Sequence, residues 1–411
     1  MAQSAYGCQG LGTHAALPAV EGADGVFFRI RPDLQTHQGL ADVTIARIAT
    51  LSKALAARGT TLIFMPVPAR AQVLAHKLPA AAKDVGYDPD IAWAVRRDVQ
   101  ARMEAAGIRV ANPRLALRRA TLAGTNVFFG TDPRPTTDGM KIMARVLADV
   151  LATDPDTKGL PRAAFTTTKG ATDTALPSAM RAQLQLACQD ALPAVRTERF
   201  GTVGAIAAEV ATTGVVAVIG TEMTGTPVLN FSGFLSEFSG LRAGSYGVDG
   251  GGAFAAMSSY LTSVDFQAAP PQILVWEAPV WTRFGDFGDQ PMAELIAAAS
   301  QTCTTSLSLQ PGSAANRRTA DLNRLQTGQP VVLELDTDGV GAGQVTFHFT
   351  SADGQTRSRS IYRHPDQVRT GRFYLSLSGL EQTGLRHVDI ELPEAFGPQP
   401  RLSACLQGSM P

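Results

Sequence analysis

Val215-Val216-Ala217-Val218-Ile219-Gly220 is an unbroken apolar run that ends on a glycine. A run without alternation fits a strand buried on both faces of a parallel sheet. Working outward, Thr61-Leu62-Ile63-Phe64-Met65-Pro66-Val67 is a second such run, and Ile273-Leu274-Val275-Trp276-Glu277 is a third. Helical periodicity lies between them. Ile45, Ile48, Leu51 and Leu55 recur at three or four residues before a Gly59 stop. Asp138 to Ala152 repeats the spacing through Ile142, Val146, Leu147 and Val150. Buried strands alternating with amphipathic helices predict an α/β sandwich over residues 1–300.

The character of the chain changes near residue 300. Val331-Val332-Leu333-Glu334-Leu335-Asp336 is followed by a glycine turn, and Gln344-Val345-Thr346-Phe347-His348-Phe349 alternates apolar with polar. Arg372-Phe373-Tyr374-Leu375-Ser376-Leu377 and His387-Val388-Asp389-Ile390-Glu391-Leu392 are further short segments of this kind. Short alternating segments separated by turns predict an antiparallel β-sandwich over residues 301–411. The polar, Thr-rich stretch from Asp154 to Thr174 reads as a mobile surface loop.

Composition narrows the function. Lysine plus arginine and aspartate plus glutamate both number 36, and no basic stripe stands out, which argues against nucleic acid as a partner. No apolar run reaches the ~18 residues that a membrane span needs. The six histidines and four cysteines are scattered, so no zinc site or other metal centre is expected. Four cysteines allow three pairings. Cys8 with Cys188 and Cys303 with Cys405 is the pairing that respects a two-domain split, and it would suit an oxidising compartment. Four buried free thiols are the alternative. Met1-Ala2-Gln3-Ser4-Ala5 has neither a basic nor an apolar leader region. The chain is then either cytosolic or an exported protein whose signal peptide has been cut off; the cysteines favour the second.

Several polar and aromatic residues are candidates for binding. Ser245-Tyr246-Gly247-Val248-Asp249-Gly250-Gly251-Gly252 reads as a glycine-rich loop able to offer backbone N–H groups, or as a plain tight turn. Trp281 could stack on a sugar, whereas Trp276 sits inside an apolar run and reads as core. Tyr362, Arg363, His364, Arg369, Arg372 and Tyr374 mix rings with cations, a combination suited to an anionic polysaccharide or to an ordinary amphipathic strand face.

Phrases spread along the chain resemble the alginate O-acetyltransferase family of the AlgX type. They are Tyr6-Gly7-Cys8-Gln9, Glu21-Gly22-Ala23-Asp24-Gly25-Val26-Phe27-Phe28-Arg29-Ile30, Gly59-Thr60-Thr61-Leu62-Ile63 with Pro66-Val67-Pro68, Phe128-Phe129-Gly130-Thr131-Asp132, Val218-Ile219-Gly220-Thr221 and Val275-Trp276-Glu277-Ala278-Pro279. The resemblance implies an SGNH-hydrolase-like domain, a flavodoxin-like three-layer sandwich, followed by a carbohydrate-binding-module-like β-sandwich. It also implies a periplasmic location and one disulfide in each domain. No cofactor is expected.

The family's chemistry needs an aspartate that orients a histidine, a histidine that deprotonates a serine, and the serine that carries the acetyl group. The first two lie in an Asp-x-His phrase before a helix, and the serine follows Gly-Thr at a strand end. Here those phrases read Asp132-Pro133-Arg134-Pro135 and Gly220-Thr221-Glu222-Met223-Thr224. Asp132 is kept, Arg134 replaces the histidine and Glu222 replaces the serine. Arginine stays protonated and cannot serve as the base. Loss of a triad costs about six orders of magnitude in rate.

Three readings follow for Asp132, Arg134 and Glu222. They are an ion cluster left in a disused site, an acid–base carboxylate pair for glycan cleavage, or a site where Thr221 or Thr224 carries acetyl instead. His14, His37 and His76 are candidates for a relocated base. The expected protein binds a neutral or anionic exopolysaccharide, and other modification or export proteins, where its relatives acetylate.

Overall fold

The computed structural model describes residues 4–286, 288–300, 303–323, 325, 331–380 and 384–406. Near the N-terminus β1 (Ala19–Glu21) pairs antiparallel with β2 (Phe27–Arg29). The three apolar runs then form adjacent strands of one parallel sheet. Its members are β3 (Thr61–Val67), β4 (Arg109–Val110), β7 (Val215–Gly220), β8 (Arg242–Gly247) and β9 (Ile273–Pro279), in the order β4-β3-β9-β7-β8. All seven residues of β9 are buried, as a central strand covered on both faces requires. The helix Asp42–Ala56 buries Ile45, Ile48, Leu51 and Leu55 as its spacing predicts. Gly59, at φ +79°, lies just beyond its end.

The helix Thr137–Thr153 is capped by Thr136, whose hydroxyl accepts the Gly139 N–H. Its fully buried stripe is Met140, Met143, Ala144, Leu147 and Leu151. Ile142, Val146 and Val150, expected on the inner face, lie half-buried along its flank.

Two polar segments differ from expectation. Residues 165–174 are not a loop: β5 (Phe165–Ala175) pairs antiparallel with β6 (Arg196–Gly204). Threonine is β-branched and suits an extended backbone, and the Thr167 and Thr202 hydroxyls hydrogen-bond at 2.7 Å across this ribbon. Ser245, Tyr246 and Gly247 likewise close β8, leaving the turn to the residues after them.

The C-terminal strands build two antiparallel sheets. One has the order β10 (Thr305–Leu307), β18 (Arg401–Leu406), β13 (Val331–Asp336), β16 (Arg372–Ser376). The other runs β11 (Leu309–Pro311), β12 (Arg317–Asp321), β17 (Leu385–Glu391), β14 (Gln344–Ser351), β15 (Thr356–Tyr362). Leu333, Leu335, Phe373 and Leu375 of the first share one apolar core with Phe347, Phe349, Val388 and Ile390 of the second, which defines a sandwich.

The chain divides into two compact units, Met1–Ile45 with Thr61–Ala253 and Pro271–Arg283, and Ala46–Thr60 with Phe254–Pro270 and Phe284–Pro411. Cys8 is bonded to Cys188 within the first, and Cys303 to Cys405 within the second, the pairing that the cysteine count singled out. Among the described residues no helix is long and apolar enough to cross a membrane.

Candidate functional site

β7 delivers its C-terminal end to Gly220-Thr221-Glu222. Thr221 caps the short helix Glu222–Gly225, its hydroxyl accepting the Met223 N–H at 3.2 Å. Glu222 is half-buried, and its Oε2 accepts the Gly250 N–H at 3.4 Å. The glycine turn after β8 therefore offers a backbone donor to the site. Glycines let the backbones meet here: a Cβ on Gly225 would stand 2.7 Å from the Gly247 Cα.

Asp132 and Arg134 lie on the loop between Phe128 and Pro135, whose ends form an isolated bridge. Arg134 Nε donates to Asp132 Oδ1 at 2.7 Å, Nη2 donates to Oδ2 at 2.8 Å, and the Arg134 backbone N–H donates to Oδ1 at 2.9 Å. Nη2 also donates to the Pro177 carbonyl at 2.6 Å. Both side chains are buried. Burial alone would raise the Asp132 carboxyl, but the Arg134 hydrogen bonds and charge outweigh it and hold Asp132 below the ordinary carboxylate value. Burial likewise pulls Arg134 down. Asp132 outweighs that, helped by the charges of Glu222 and Asp249, and holds the guanidinium above its ordinary value. The guanidinium is thus engaged by Asp132, while Glu222 acts on it from farther off.

Beneath the turn lies Glu277, which sequence reasoning noticed only as a strand end. It is fully buried. Its Oε2 accepts the Thr221 N–H at 2.7 Å, the Thr221 hydroxyl at 3.1 Å and the Thr224 hydroxyl at 3.2 Å. Gly220 makes room for it, since a Cβ there would stand 2.4 Å from Oε2. Burial, reinforced by the nearby Glu222 charge, pushes Glu277 up to about 7 against the pull of its donors. Thr221 and Thr224 are both buried with their hydroxyls turned to Glu277, an arrangement that does not present them to an acyl donor.

A second charged group surrounds Arg70, which is fully buried and donates to the Phe129 and Gly130 carbonyls at 2.8 Å each. Burial draws Arg70 down to about 10, opposed by Asp33 and Asp132. Asp33 is in turn held by Arg29, whose guanidinium lies 4.8 Å over the Trp281 ring. That face of the half-buried Trp281 is therefore already occupied by a cation. Trp276 is core, its Nε1 donating to the Ala253 carbonyl at 3.0 Å. His37 and His76 are exposed, and His14 accepts the Leu17 N–H. Among the described residues no hydrogen bond or ion pair joins these histidines to Asp132, Arg134 or Glu222.

The expected sandwich face is largely internal. Arg363 is 9% exposed and clamped by the Glu294 carboxylate, with Nη1 to Oε2 at 2.6 Å. Tyr374 is 1% exposed, and its hydroxyl donates to Glu334 at 3.1 Å. Arg372 is half-buried and paired with Asp336 at 3.6 Å. The helix Gln290–Ser300, which carries Glu294, covers this side of β16, so Arg363 and Tyr374 have no face to offer a polymer. Tyr362, 69% exposed, does, and Arg369 is exposed as well.

The five-stranded parallel sheet, with β7 ending in the Gly220-Thr221-Glu222 turn, has the build of an SGNH-hydrolase-like domain. The chain belongs to the ALGX family, described as "SGNH hydrolase-like domain, acetyltransferase AlgX", which it matches over residues 19–280. It is 30% identical over 264 residues to the alginate biosynthesis protein AlgX of Pseudomonas aeruginosa, covering 63% of this chain and 55% of that protein. It is 30% identical over 267 residues to a probable alginate O-acetylase, AlgJ, of Pseudomonas fluorescens, covering 62% of this chain and 66% of that protein. These matches thus span less than two thirds of either relative. Among solved structures, Pseudomonas aeruginosa AlgX superposes over 95% of both chains with a TM-score of 0.79 at 23% identity. The O-acetyltransferase domain of Pseudomonas putida AlgJ covers 68% of this chain and 98% of its own with a TM-score of 0.54 at 22% identity. Both likenesses describe the fold, sandwich included in the first.

Proposed function

We propose that this chain is a periplasmic polysaccharide-binding member of the acetyltransferase family that does not transfer acetyl groups by the serine mechanism. The observation that carries this reading is the Asp132–Arg134 pair. The aspartate that would orient an imidazole instead neutralises a guanidinium, which has no lone pair to take a proton. Glu222 stands at the strand end that the resemblance assigns to the nucleophile. The two disulfides support an oxidising compartment, and the names of the relatives support an alginate-like polymer as ligand. Proteins of polysaccharide modification or export are the partners that such a role calls for.

Glycan cleavage by Asp132 and Glu222 would need one carboxyl held up as a general acid. Asp132 is held down by Arg134, which opposes that role.

Affinity electrophoresis through gels cast with alginate or with a neutral glycan tests binding. Retarded migration in at least one is expected; unchanged mobility in both would overturn the binding role.

A further inference from the structure

Glu277 is a fully buried carboxyl. It lies in β9, the central strand, and no ion pair joins it to a lysine, arginine or histidine among the described residues. Its three donors, the Thr221 N–H and the hydroxyls of Thr221 and Thr224, belong to the turn that carries Glu222. The strand neighbours facing it, Met65 on β3 and Gly220 on β7, carry no charge. The charged group with the largest effect on it is Glu222, which repels an ionised Glu277. An ionised carboxylate at this place is costly, because three neutral donors compensate only part of the lost hydration. A neutral carboxyl keeps its acceptor oxygens for the turn and escapes that penalty.

We propose that Glu277 is a proton-gated positioning residue: neutral, it holds the Thr221–Gly225 turn and the Glu222 carboxylate in place; ionised, it drives the turn to open and admit water. On opening, the proton passes to solvent and the carboxylate is hydrated. The sign follows from linkage. The closed turn binds the proton more tightly than the hydrated, open one, so closure is favoured at low pH and weakens as pH rises. This role goes beyond polysaccharide binding, and it stands or falls separately from it.

Hydrogen exchange read by mass spectrometry on the whole chain tests the lock, from about pH 5.5 to 8.5 and corrected for the intrinsic exchange rate. In the wild type, the peptide spanning Thr221–Gly225 should lose protection with rising pH, by up to about tenfold per pH unit. A peptide from β14 should not. In Glu277→Gln, which cannot ionise, protection of the turn should be flat. A flat wild type, or an unchanged slope in Glu277→Gln, would overturn the proposal. Should that variant not fold, Glu222→Gln serves instead. It removes the like charge from a half-buried position and leaves Glu277 in place. The loss of protection should then level off at lower pH than in the wild type; an unmoved plateau would overturn the lock equally.

Discussion

Arg134 grips Asp132 through two parallel hydrogen bonds, Nε to Oδ1 at 2.7 Å and Nη2 to Oδ2 at 2.8 Å. Fork-to-fork geometry of this kind is the strongest form of the arginine–carboxylate contact. It also leaves the two opposite charges neutralised in one buried, hydrogen-bonded pair.

The pair is buried, so breaking it from one side should be costly. Arg134→Ala takes from the buried Asp132 the guanidinium that pairs with it directly and should destabilise the fold by about 3–5 kcal/mol, read from urea unfolding. Replacing both residues by apolar ones of similar volume should cost less than that single change. Equal losses would mean that the pair's charge is not what matters. Acid should act on the same pair. Asp132 is held below its ordinary value, so its contribution is present above that value and is lost as pH falls through the lower, folded one.

On the sandwich, structural and binding roles should separate cleanly. Arg363→Ala removes the partner of the buried Glu294 and should lower stability by about 3–5 kcal/mol. Tyr362→Ala removes an exposed ring and should leave the melting temperature nearly unchanged while weakening retention in a glycan gel. A Tyr362→Ala chain that migrates like the wild type in every glycan would remove that ring from the binding surface.

Glu277 makes the stability of the unit that holds the parallel sheet depend on pH. Burial lifts it from an ordinary 4.5 to about 7, so its favourable contribution is full below 4.5 and is lost as pH rises to about 7. The loss is on the order of 3 kcal/mol. Glu277→Gln lacks this ionisation. The difference in unfolding free energy, wild type minus variant, should therefore fall between pH 5 and pH 8, as denaturant titrations at the two pH values can show. A constant difference would refute the assignment.

Much of this architecture was legible because apolar runs have few alternatives. Val215–Gly220 and Ile273–Glu277 could be little other than buried parallel strands, and the cysteines paired as their distribution implied. The threonines of β5 misled because a solvated two-stranded ribbon and a polar loop have similar compositions. Arg363 and Tyr374 misled for a different reason. Alternation along β16 implied one exposed face, but a helix from well before it in sequence supplies Glu294 to cover that face. Glu277 was the least legible, since one glutamate at the end of an apolar run looks like a strand leaving the core. What reveals it is the space left by Gly220 on the adjacent strand, a relation across more than fifty residues of sequence.

On the proposed reading, Arg134 and Glu222 have replaced acetyl transfer with binding. Turnover of an activated acetyl ester by the purified chain, with and without alginate as acceptor, tests it most directly. No turnover above the uncatalysed rate is expected in the wild type, and none in Glu222→Gln. Turnover in the wild type that disappears in Glu222→Gln would contradict it, and would make Glu222 a catalytic group.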